Sequence, residues 1–237
     1  MENIMILIIV VFFASLLQAS TGFGFSIVGT PFLLLLLPAQ SAIQLNIILS
    51  LCLSMFMIYS IRNEVNFPLL KRLILGSLIG IVPGLLLYLF LNIDIFKIIV
   101  GTMIILLTIL LIAKVTIKQT NRRDAVAGGI AGLLTTSIGV PGPPLLLYFS
   151  STSLDKTALR STTLAYYLFI YLISLVMQIS FGGTNAEVWT SSLIALIPLV
   201  AGIVLGQYLF KWINQRVFRI ITYVILLFTG CYMLIGS

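Results

Sequence analysis

The chain contains no histidine, two cysteines and six acidic residues among 237. The missing histidine removes the commonest metal ligand and the commonest general acid–base group at neutral pH. Cys52 and Cys231 each lie inside an apolar run with no metal-ligand spacing, which marks them as small packing residues. Charge of either sign is scarce at 8%, against about 25% in a soluble domain. Asp94, Asp155, Glu64 and Glu187 are scattered between apolar runs, and no acid lies deep inside one. That excludes the usual carboxylate proton relay and leaves a membrane-embedded enzyme without catalytic groups, so neither an enzyme nor a cofactor is expected.

What fills the space is apolar. Hydrophobic residues make up 60% of the chain, too much for a globule to hide, so the excess faces lipid. The net charge of +7 comes from basic residues confined to short loops, which is a topology signal and excludes a nucleic-acid surface. Met1-Glu2-Asn3 leads directly into an apolar run, with neither a basic n-region nor a small-x-small cleavage site, and reads as a retained first segment.

A spanning helix needs about 20 apolar residues. The uncharged stretch Ile4–Leu37 exceeds one span and is interrupted at Ser20-Thr21-Gly22-Phe23-Gly24 and again at Gly29-Thr30-Pro31. Runs follow at Ala42–Ile61, Leu73–Leu91 and Ile95–Ala113, then a hydrophilic connector. The order then repeats. Ala125–Phe149 is interrupted at Thr135-Thr136-Ser137 and Gly139-Val140-Pro141-Gly142-Pro143-Pro144, and runs follow at Leu159–Ile179, Thr190–Phe210 and Val217–Ile235. The division is therefore a first repeat at 1–113, a cytoplasmic connector at 114–124 and a second repeat at 125–237.

The halves also match in detail. Gly80-Ile81-Val82-Pro83-Gly84 corresponds to Gly202-Ile203-Val204-Leu205-Gly206, and Phe96-Lys97-Ile98-Ile99 to Phe218-Arg219-Ile220-Ile221 at the same offset. If each broken run returns to its own side, as two short spans or a re-entrant hairpin, the loops Arg62–Arg72, Lys114–Arg123, Ser151–Arg160 and Lys211–Arg219 share one side. They hold every Lys and Arg except Lys97, which makes that side cytoplasmic. Each half then crosses an odd number of times. The expected fold is an all-α polytopic membrane protein of two inverted repeats, each a Gly/Pro-broken helical hairpin followed by three transmembrane helices, with both termini extracytoplasmic.

Unwound backbone inside a bilayer survives only where protein or a wet cavity supplies hydrogen bonds. The two broken runs are therefore the candidate site, through Thr21, Gly22, Gly24 and Gly29 in the first and Gly139 and Gly142 in the second. Helix N-termini there would present free amides and partial positive charge to an anion near the midplane. Taken singly, each glycine reads equally as a packing or kink residue. Gln44 and Asn46 in the first half, and Arg160 and Thr162 in the second, add polar side chains at equivalent helix starts. Arg160 stands either as a bidentate oxyanion ligand or as a topology marker.

A broken glycine-rich first segment ending in Pro and a leucine run, then Ala42 and a polar helix start, all repeated, resembles the TauE/SafE-like sulfite and organosulfonate exporters of the toluene-sulfonate uptake permease family. The resemblance rests on Gly22–Pro31, Ala42–Asn46, Gly80–Gly84, Gly128–Pro144 and Ala158–Thr162 and covers nearly the whole chain. This chain departs from it with a shorter glycine cluster in the first break and extra prolines in the second. The resemblance implies a plasma-membrane exporter of small sulfur-containing anions, with a sulfonate importer or an anion channel of the same fold as the alternatives. The partners expected are the anion and the bilayer, with a homodimer as the one protein assembly considered. An anion leaving a negative-inside cell moves downhill by about 2.3 kcal/mol per charge per 100 mV, so export needs no coupled ion.

Overall fold

A computed structural model describes residues 2–90, 93–113, 118–149 and 154–210, with 223–224, 227–228, 230–232 and 234. The basic segment Lys211–Arg219 and part of each of the loops at Lys114 and Ser151 lie outside the described residues, and the run Val217–Ile235 is described only at scattered positions.

The described secondary structure is helical throughout. Helix α1 spans Glu2–Thr21, α2 Phe25–Leu36, α3 Ala39–Ile61, α4 Phe67–Phe90 and α5 Ile93–Ile112. Then come α6 at Asn121–Ile138, α7 at Gly142–Phe149, α8 at Lys156–Gly182 and α9 at Ala186–Phe210. Helix is what a chain in lipid must form, because each N–H and C=O then finds its partner within the segment. Among the described residues, four helices hold stretches long and apolar enough to cross a membrane: Ala39–Tyr59, Phe67–Phe90, Thr157–Gly182 and Ala186–Leu209.

Two of the expected interruptions are real breaks and two are not. Helix α1 ends at Gly22, whose φ of 82° and N–H bond to Gln18 O (2.8 Å) make it a left-handed cap. Helix α6 ends the same way at Gly139, with φ 74° and a bond to Thr135 O of 2.8 Å. By contrast, α2 runs through Gly29-Thr30-Pro31 without stopping, and α6 runs through Thr135-Thr136-Ser137. Two of these α6 hydroxyls turn back on their own helix, Thr135 Oγ1 to Ala131 O and Ser137 Oγ to Leu133 O, and Thr136 Oγ1 pairs with Ser174 Oγ of α8 at 2.8 Å, so they need no break. Helix α6 also begins inside the expected connector, at Asn121, and buries Asp124 completely.

The breaks matter because of how the helices pack. Helix α4 packs on α6 and α1 on α9, while α3 packs on α8, with α4 on α8 and α9 on α3. Glycine sets the α4–α6 distance. A Cβ on Gly76 would stand 1.8 Å from Ala125 O, one on Gly80 2.0 Å from Gly129 O, and one on Gly128 2.1 Å from Leu73 O. The α1–α9 seam is as close, with Gly206 only 2.5 Å (as a Cβ) from Leu16 O. Such backbone contact is how helices associate in lipid, where burying apolar surface gains little.

The outer helix faces are apolar and open, as at Ile79, Phe90 and Ile197, whereas Tyr166, Tyr167 and Tyr171 of α8 are fully buried. Two asparagines play matching parts at the loops. Asn66 Oδ1 accepts from Leu69 N (3.0 Å) at the start of α4, and Asn185 Oδ1 accepts from Val188 N (3.0 Å) at the start of α9. Each also reaches a helix of the opposite half: Asn66 N donates to Thr162 Oγ1 at 2.9 Å, and Asn185 Nδ2 to Ser41 Oγ at 3.0 Å.

Candidate functional site

The starts of the two short helices meet inside the bundle. A Cβ on Gly142, the first residue of α7, would lie 3.0 Å from Ile27 Cδ1 in the first turn of α2 and 3.3 Å from Tyr167 Oη. Their free amides are fewer than two ordinary helix ends would offer. The Phe25 amide of α2 donates to Gln18 Oε1 at 3.0 Å, and Pro143 and Pro144 in the first turn of α7 have no N–H.

Hydroxyl groups take up the role the amides leave. Ser26 and Thr30 on α2, Ser50 on α3, and Tyr167 and Tyr171 on α8 are buried, and the Thr30 and Tyr167 oxygens have no hydrogen-bond partner among the described residues. The Tyr171 hydroxyl faces Ser26 and Ser50, the Tyr167 and Tyr171 rings sit 5.4 Å apart, and Thr30 follows Ser26 by one turn on the same face. Phe23, in the first break, closes the cluster by meeting Tyr167 edge-on at 6.3 Å and Phe149 at 6.4 Å.

A buried hydroxyl without a partner costs about 1–3 kcal/mol. Thr30 and Tyr167 leave such a demand unmet among the described residues, and Tyr171, Ser26 and Ser50 have only one another. None of these residues is acidic, so no carboxylate competes for their O–H donors. Each hydroxyl donates as well as accepts, so the cluster can serve a small group that only accepts.

The residues expected from sequence divide around this centre. Gly142 is at it. Asn46 stands beside it, with Nδ2 donating to Gly139 O (2.9 Å) across the second break and Oδ1 buried, unpartnered among the described residues and 3.3 Å from where a Gly29 Cβ would be. Gly22 meets Arg160 instead: its Cβ would lie 3.0 Å from Arg160 Cγ, and the Arg160 guanidinium donates to Ala19 O in the last turn of α1. Arg160 thus caps a helix C-terminus, where a cation opposes the partial negative charge. Gly24, at φ 126°, packs on Leu17 and Gln18 and allows the turn into α2, while the side chain of Thr21 lies outside the described residues.

Two expected residues lie elsewhere. Thr162 Oγ1 bonds back to Ala158 O (2.6 Å) and accepts from Asn66 N, so it fastens a loop. Gln44 Nε2 donates to Tyr88 Oη (3.0 Å) and Gly183 O (2.7 Å) at the opposite end of the bundle. There it lines a polar cleft of about 210 Å³ with Ser41, Tyr88 and Asn185.

Ser26, Ser50, Tyr167 and Tyr171 were not expected from the sequence. A signal for them exists as the i, i+4 pairs Ser26/Thr30, Asn46/Ser50 and Tyr167/Tyr171, each on a helix adjoining a break. No group of histidine, cysteine and carboxylate side chains suited to a metal is present among the described residues.

A family model described as Sulfite exporter TauE/SafE matches residues 7–233. No curated protein and no solved structure gives a significant match.

Proposed function

Because the chain belongs to the sulfite exporter TauE/SafE family, a family of membrane transporters, we propose that it carries a small sulfur-containing oxyanion, sulfite or an organosulfonate, out of the cell. The observation that carries this reading is the buried cluster of hydroxyls, Ser26, Thr30, Ser50, Tyr167 and Tyr171, where α2 and α7 begin side by side. The donors hold the anion, Asn46 and Arg160 fix the two breaks beside it, and the membrane potential supplies the driving force of about 2.3 kcal/mol per charge per 100 mV. Tight protein–anion complementarity of neutral donors lets the anion enter without a fixed counter-charge.

The architecture of this proposal is two inverted repeats in the plasma membrane, with both termini extracytoplasmic. Three correspondences support it. The breaks carry equivalent left-handed glycines, Gly22 and Gly139; the loop asparagines Asn66 and Asn185 make equivalent caps; and the seam α4–α6 has its counterpart in α9–α1. An inverted pair of this kind alternates access around a site at its centre.

The test is efflux of labelled sulfite from proteoliposomes under an imposed potential, with wild type, Ser26→Ala and Tyr171→Phe. Wild type should show saturable efflux and counterflow. Each variant should lose about tenfold or more in apparent affinity, the factor expected for one hydrogen bond to a charged acceptor. Non-saturating currents would make the protein a channel, and unchanged affinity in both variants would remove the hydroxyl cluster from the path.

A further inference from the structure

Away from the hydroxyl cluster, one buried carboxyl group has a role that the transport site leaves unexplained. Asp124, in the first turn of α6, is completely buried. Its carboxylate gathers donors from three parts of the chain. Arg72 Nε of α4 reaches Oδ2 at 2.5 Å, Tyr148 Oη of α7 reaches Oδ1 at 2.5 Å, and Gln119 Nε2 reaches Oδ1 at 3.3 Å. The Tyr148 hydroxyl also lies 3.4 Å from Thr120 O.

These three donors are not equivalent mechanically. Arg72 and Asp124 sit at the head of the glycine seam, next to Leu73 and Ala125, whose backbones touch Gly128 and Gly76. The α4–α6 pair is therefore held by backbone contact along its length, and the ion pair adds to an interface that is already rigid. Helix α7 is different. It has eight residues, is joined to α6 through Gly139-Val140-Pro141, and brings Gly142 to the anion site at one end and Tyr148 to Asp124 at the other.

We propose that Tyr148 is a positioning residue whose bond to Asp124 latches the end of α7 to the α4–α6 scaffold. When the latch opens, α7 turns about the left-handed Gly139 and uncovers the site from the end that carries Arg62, Lys71, Arg72 and Arg123. The anion path in this statement rests on the transporter reading; the latch itself does not. Arg72 stays with Asp124 when Tyr148 leaves, so the buried carboxylate keeps a counter-charge.

Hydrogen–deuterium exchange of the purified full chain in lipid nanodiscs tests it, comparing wild type, Tyr148→Phe and Asp124→Asn. Phenylalanine keeps the ring and removes only the donor. Exchange in residues 142–149 should rise about tenfold or more in Tyr148→Phe, as loss of a bond to a charged acceptor predicts, while α4 and α6 stay at wild-type protection. Asp124→Asn, which also strips Arg72 of its counter-ion, should raise exchange in α7 and in the first turns of α4 and α6 together. Wild-type protection of α7 in Tyr148→Phe would overturn the latch, and so would an equal rise in α4 and α6, which would make Tyr148 an ordinary packing residue. A protein that moves no sulfite would defeat the transporter reading and leave this comparison intact.

Discussion

Gly128 and Gly129 are adjacent on α6, and the structure assigns them opposite tolerances. A Cβ at Gly128 would stand 2.1 Å from Leu73 O and 2.8 Å from both Leu73 C and Cα, where ordinary contact begins at 3.4 Å. The shortfall to the oxygen is 3.4 minus 2.1, or 1.3 Å, and the obstacle is backbone that cannot rotate away. At Gly129 the nearest atom is Gly76 O at 3.3 Å, a tenth of an ångström short. Both substitutions to alanine gain the same helix propensity, about 1 kcal/mol, so that term cancels in the comparison. Gly128→Ala must then part α4 from α6 or bend one of them, at about 1–3 kcal/mol net of overpacking, with loss of the close seam on either side. Gly129→Ala should be neutral or stabilising by up to about 1 kcal/mol. The assay is the thermal midpoint of the purified protein in one detergent, read by size-exclusion after heating. A midpoint for Gly129→Ala at or below that for Gly128→Ala would refute the view that backbone contact, rather than small-residue content, holds the seam.

Three further outcomes follow from named contacts. Arg160→Gln should weaken the cap on α1 at Ala19 O and cost about 1 kcal/mol or more of stability, read as a lower thermal midpoint, with Arg160→Lys intermediate; equal midpoints across the three would leave Arg160 outside the break. Thr162→Val should cost about 1 kcal/mol of stability through the lost bond to Asn66 N and leave sulfite affinity unchanged, whereas a shift in affinity measured by equilibrium binding would return Thr162 to the site. In intact cells, Thr184→Cys should react with an impermeant thiol reagent from outside and Asn121→Cys should not; labelling of Asn121→Cys would reject the inverted topology.

Much of the architecture was readable because glycine and proline have strong local consequences. Gly22–Gly24 and Gly139–Pro141 break their helices where expected, since only glycine takes the left-handed cap at no steric cost. Gly29-Thr30-Pro31 misled because a proline in lipid can stay helical when neighbours supply the missing partner, and α2 carries Pro31 through. Helix starts ran earlier than the apolar runs, as at Phe67, because Asn66 caps α4 ahead of the charged pair Lys71-Arg72. The hydroxyl cluster was masked by its chemistry: serine and tyrosine inside apolar runs normally bond to their own helix or pack as rings, and the i, i+4 spacing that marks Ser26/Thr30 equally marks Ser50/Ser54, where the Ser54 hydroxyl does bond back to Ser50 O. Asp124 was hidden by its position. A carboxylate at the edge of a hydrophilic connector reads as solvated, and only the fold brings Arg72 and Tyr148 onto it.

The exchange of partners between halves also governs how the chain is made. The glycine edge of α4 finds its complement on α6, and α1 finds its own on α9. As the polypeptide leaves the ribosome, α4 must remain in the bilayer without its mate until the segment beyond Asn121 arrives, and α1 must remain so until Ala186–Phe210 is inserted. During that interval the exposed small-residue faces can pair with any other helix in reach. A chain cut between Phe90 and Asn121 would therefore yield two fragments that depend on each other. Produced together they can reassemble, and produced alone each presents an unfilled groove to the insertion and quality-control machinery.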